Sequence, residues 1–140
     1  MAKKNKVELA FASEQHKKGT LKAFEQIRKL LSDKNAWMKG DLFGTNEETG
    51  QDTFCLLGAA EHVDGPQETL VKAIMVAQLD PTNIEYSAED GLEIEESVVA
   101  EYNDANIRKH SQIVSFLDRC IKEVKALKIK KPEKVIILGE

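Results

Sequence analysis

The chain has 140 residues, 31% of them charged and 41% hydrophobic, with a formal net charge of −4 and a pI near 5.5. That length suits one domain able to bury a core without disulfides or metals. No apolar run is long enough for a bilayer, and no apolar stretch follows the first charged residues, which predicts a cytoplasmic protein with neither membrane span nor signal peptide.

The charge is segregated: residues 1–40 hold 10 Lys/Arg against 4 Asp/Glu, residues 41–107 hold 1 against 16, and residues 108–140 hold 9 against 4. Lys72 is the one cation of the acidic middle. Such a partition either folds the basic ends onto the acidic centre or gives each region its own partner.

In chain order, MAKKNK (1–6) reads as a loose basic arm, and Val7–Phe11 admits either a short strand or an entry into a helix. Leu21, Phe24, Ile27, Leu30 and Leu31 recur at helical spacing, which predicts a helix capped by Thr20. Glycines at 40, 44 and 50 predict a loop after it, with Trp37 plugging the edge of the core. From Asp52 to Val63 the chain is apolar on nearly every side: Phe54, Cys55, Leu56, Leu57, Ala59 and Ala60 are interrupted only by Gly58. This predicts a helix wrapped by its neighbours, capped by Asp52 or Thr53, with Gly58–Ala60 admitting a close approach.

The turn DGPQE (64–68) leads into a helix with Leu70, Val71, Ile74, Met75 and Leu79 on one face, stopped by Asp80 and Pro81. Residues 82–96 hold six acidic side chains and predict an exposed acidic loop. A short helix begins at Ser97, with Val98, Val99 and Tyr102 inward, and a long one near Ser111, with Ile113, Val114, Leu117, Cys120, Ile121, Val124 and Leu127 on its stripe. The tail, 128–140, carries the apolar run Val135–Leu138, which must be covered by Val7–Phe11, by the helices or by a second subunit. The fold expected is mainly α: a single compact domain of four or five helices, with a short terminal strand pair as an option.

Cys55, Asp104 and His110 stand in the order nucleophile, orienter, base used by some cysteine hydrolases, which defines an alternative reading. The apolar flanks of Cys55 and the absence of a glycine-rich turn before it favour a buried thiol. Cys55 and His62 are about 10 Å apart on a helix, too far to share an ion, so neither metal nor cofactor is expected. No glycine-rich phosphate loop occurs. Lys17, Lys18, Lys125 and Lys128 with the terminal lysines offer a second alternative, nucleic-acid regulation, against which the acidic pI argues. The preferred reading is a non-enzymatic module contacting a protein partner through Glu85, Glu89, Asp90, Glu93, Glu95 and Glu96, with Trp37 next. A second copy of the chain is a further candidate partner.

Trp37, then FCLLGAA at 54–60, EYNDA at 101–105 and LDRCI at 117–121 together resemble an uncharacterised family of small bacterial and phage proteins with W-C-x-L-G-A and W-N-D motifs. Phe54 and Tyr102 stand where tryptophan is usual, and residues 82–96 depart from the pattern. The resemblance implies a compact helical domain of phage origin acting on a host protein, with no activity to carry over. Within the motif, Asn103 and Asp104 are expected to satisfy backbone groups around Asn106–Ser111.

Overall fold

The computed structural model describes residues 9–11, 13–62, 67–79, 84–87, 91–106, 109–129 and 136–138. In order these are β1 (Leu9–Phe11), α1 (Glu14–Leu31), a 3-10 turn (Lys34–Ala36), β2 (Phe43–Thr45), β3 (Asp52–Phe54), α2 (Leu56–His62) and α3 (Gln67–Leu79). Then come β4 (Ile84–Ser87), β5 (Gly91–Ile94), α4 (Ser97–Glu101), a π turn (Tyr102–Asn106), α5 (His110–Ala126) and β6 (Ile136–Leu138). The fold is mainly α, with five helices and three two-stranded pairs among the described residues.

α1 begins earlier than its apolar spacing suggests. Ser13 caps it by accepting the His16 N–H, and Glu14 sits in the first turn, where an acid suits the helix dipole. Thr20 is therefore no cap: it lies fully buried inside the helix, its hydroxyl donating to the His16 carbonyl at 2.8 Å. Phe24, Ile27 and Leu31 pack against α5, which buries Ile113, Phe116, Leu117, Cys120 and Val124.

The apolar middle divides where one helix was expected. Asp52–Phe54 pairs with Phe43–Thr45 as an antiparallel hairpin, so Asp52 and Thr53 belong to a strand, and α2 has only seven residues. The glycine loop thus contains a hairpin, with Gly40 (φ 87°) and Gly50 (φ 72°) in the left-handed region that favours glycine. The longer helix wrapped on all sides is α3, buried at every position from Leu70 to Val76 and packed by α1, α2, α4, α5, β4 and β5. Lys72 is tolerated there because Glu61 (3.2 Å) and Glu96 (2.9 Å) pair with its ammonium, joining α2, α3 and the entry to α4.

The acidic stretch 82–96 is not a loop: Ile84–Ser87 pairs antiparallel with Gly91–Ile94. The alternation of I-E-Y-S and G-L-E-I supports strands, and the acidic count had concealed it. The tail pairs with the first strand, in parallel, with Leu9 opposite Ile136. The turn at 63–66 and Val135 lie outside the described residues.

Candidate functional site

The motif residues converge on a junction between the loop after α1, the start of α2 and the π turn. Asn103, fully buried, is its centre. Its Oδ1 accepts from Trp37 Nε1 (2.8 Å) and from the Leu56 N–H (3.3 Å), while its Nδ2 donates to the Met38 carbonyl and to Asp104 Oδ1, both at 3.0 Å. One side chain ties together three segments. Asp104, exposed, also accepts the Gly40 N–H at 2.9 Å. The bonds described for Asn103 and Asp104 reach Trp37–Gly40 and Leu56, whereas groups around Asn106–Ser111 are expected from the sequence, of which 107 and 108 lie outside the described residues.

Cys55 occupies the position before α2 and caps it. Its Sγ accepts the Gly58 N–H at 3.3 Å and its carbonyl accepts the Ala59 N–H at 2.9 Å. The thiol is 2% exposed; burial pushes its pKa up, and the nearby Asp104 charge adds to the rise. Both effects oppose the thiolate that a nucleophile needs. Burial raises the Cys120 thiol also, and the two cysteines are free.

His110 sits at the start of α5, its Nε2 donating to the Leu31 carbonyl at 2.5 Å and its ring 6.2 Å from that of half-buried Trp37. Lys39 lies over the opposing indole, 5.7 Å from its centroid. Asp33 is held below the usual carboxylate range by the Gln51 amide and the Asn35 N–H, with a smaller contribution from His110. Cys55 and Asp104 thus lie at the junction and His110 beside its tryptophan, and the bonds described for the three are spent on backbone groups and on Asn103.

The residues expected to face a partner fall elsewhere. Glu85 and Glu93 occupy directly opposed positions on β4 and β5; Glu89 and Asp90 lie outside the described residues. Glu95 is exposed and accepts the Ser97 hydroxyl at 2.7 Å, whereas Glu96 is committed to Lys72. Lys17 and Lys125 meet at one end of the α1–α5 pair, Lys18 and Lys128 are exposed near it, and Lys3, Lys4, Lys6, Lys130, Lys131 and Lys134 lie outside the described residues. Among the described residues no helix is long and apolar enough to cross a membrane, and no cluster fit for a metal ion occurs.

The close approach expected at Gly58–Ala60 is made at Gly58, by the backbone leading into β2 where a neighbouring helix was expected. An added Cβ there would lie 2.0 Å from the Leu42 carbonyl oxygen, so glycine is what lets β2 and its approach lie against α2.

Fold and junction define a small, mainly helical domain whose motif residues clamp a tryptophan loop and a short buried helix onto the rest. The chain belongs to DUF6197, a family of unknown function, whose profile matches residues 17–123. That span holds every residue of the junction and excludes β1 and β6. No curated protein and no solved structure matches the chain.

Proposed function

We propose that this protein is a non-enzymatic interaction module, of phage origin and working in the cytoplasm of a bacterial host, that engages a host protein through the acidic surface of β4–β5 and Glu95. The observation that carries this reading is the register of the hairpin, which sets Glu85 opposite Glu93. The apolar pairs Ile84–Ile94 and Tyr86–Leu92 set that register, and the cost of like charges at opposed positions is one that a cationic partner would offset. The buried, cap-forming Cys55 supports the same reading, and the resemblance to small bacterial and phage proteins supports the origin.

The test uses the variant E85Q/E93Q/E95Q beside the unaltered chain. Removing the opposed charges is expected to raise stability by about 0.2–1 kcal/mol in urea unfolding. A partner captured from host lysate and then purified is expected to bind the variant at least about tenfold more weakly at low salt, with a steep salt dependence in the unaltered chain only. Equal affinity of the two chains for that partner, or a loss of stability in the variant, would remove the hairpin from the interface.

A further inference from the structure

Part of the charge partition of the sequence becomes a partition in space. α1 and α5 run antiparallel: Lys17 Nζ, near the start of α1, donates to the Lys125 (3.1 Å) and Leu127 (2.6 Å) carbonyls at the end of α5, and Arg28 pairs with Asp118 further along. At the other end His110 of α5 meets Leu31 of α1. The starting half of α1 and the closing half of α5 therefore share one end of the molecule, which carries Lys17, Lys18, Lys22, Lys122, Lys125 and Lys128 against Glu14 and Glu123.

The opposite end is acidic. The loop and hairpin after α1 are tied there by Gln51 to Asp33, by Asn46 to the Asn35 carbonyl and by Gly40 to Asp104. Asp33, Asp41, Glu47, Glu48, Asp52 and Asp104 are exposed at this end, opposed by Lys29, Lys34, Lys39 and Lys109. At 1.5 Å per residue, the 18-residue α1 sets the two ends about 27 Å apart, well beyond a Debye length at physiological salt.

We propose that the chain associates head to tail with copies of itself, the basic end of one against the acidic end of the next. The complement of each end is carried by the same molecule, whereas the net charge of −4 works against a phosphate backbone as the occupant. A contact between unlike surfaces is heterologous, so it closes into a ring or continues as a filament and does not stop at a symmetric pair. The residues involved differ from those of the β4–β5 surface, so failure here leaves the host-partner reading standing.

Sedimentation velocity of the full chain is the test. Assemblies larger than two chains are expected at about 0.02 M salt and monomers at about 0.5 M, because exposed charges are screened at the higher value. Two surface variants, K18Q/K22Q/K125Q and E47Q/E48Q/D52N, each retaining the helical circular dichroism of the unaltered chain, are expected to be monomeric alone. Mixed in equal amounts at low salt they are expected to form a one-to-one pair, since each keeps one competent end. An unaltered chain that stays monomeric at low salt, or variants that each self-associate alone, would overturn the proposal. A monomeric chain that shifts a short DNA duplex through Lys18, Lys22 and Lys125 would also overturn it and assign the basic end to nucleic acid.

Discussion

Asn103→Ala is expected to destabilise the fold by about 4 kcal/mol, because a buried polar group left without its partner costs about 1–3 kcal/mol and this substitution strands several. Trp37 Nε1, the Leu56 N–H and the Met38 carbonyl would each lose the bond that Asn103 now provides. The effect is structural in kind: α2 loses part of its cap and the loop at Trp37 loses its anchor at once. Trp37→Phe removes one of the same bonds and keeps an aromatic ring at the core edge, so it should cost far less, about 1 kcal/mol. Urea unfolding followed by far-ultraviolet circular dichroism reads both, and the single tryptophan gives a second probe for Asn103→Ala. A loss below about 1 kcal/mol for Asn103→Ala would mean that the junction does not hold these segments together.

Gly58→Ala separates packing from helix propensity by sign. Inside a helix alanine is better than glycine by about 1 kcal/mol, so propensity alone predicts a gain. Here the new Cβ would meet the Leu42 oxygen at 2.0 Å and its carbonyl carbon at 2.8 Å, and that is backbone that cannot turn aside like a flexible side chain. Leu42 is also held in place, its carbonyl accepting the Cys55 N–H at 3.3 Å. A net destabilisation of about 3 kcal/mol or more is expected, at the upper end of what overpacking costs. A rise in the urea midpoint would contradict the close approach of β2 and α2.

What could be read from the residues was the periodic part. α1 and α5 announce themselves by apolar side chains at helical spacing, and the structure buries Phe24, Ile27 and Leu31 on one and Ile113, Leu117, Cys120 and Val124 on the other. Where apolar residues ran together, from Phe54 to Ala60, no period distinguished strand from helix, and β3 was absorbed into α2. α3 read as one-faced because Lys72 and its neighbours interrupt it; its cover comes from elements distant in the chain, and so do the Glu61 and Glu96 charges that make Lys72 acceptable there. The acidic hairpin was obscured because six carboxylates outweighed a short alternation. The junction was the least legible: Asn103 reaches Trp37 across 66 positions and Leu56 across 47, and nothing near Asn103 in sequence marks those partners.

The alkylation rate of Cys55 in the folded chain tests most directly whether this thiol is a buried cap, leaving the binding work to the charged exterior. Iodoacetamide labelling at neutral pH, followed for the Cys55 and Cys120 peptides separately by mass spectrometry, gives the rate for each. Burial and the Asp104 charge hold Cys55 protonated, so its rate should fall about a hundredfold or more below that of the urea-unfolded chain. Labelling of Cys55 in the native chain as fast as in the unfolded one, or faster, would contradict a capping thiol and point to an activated nucleophile.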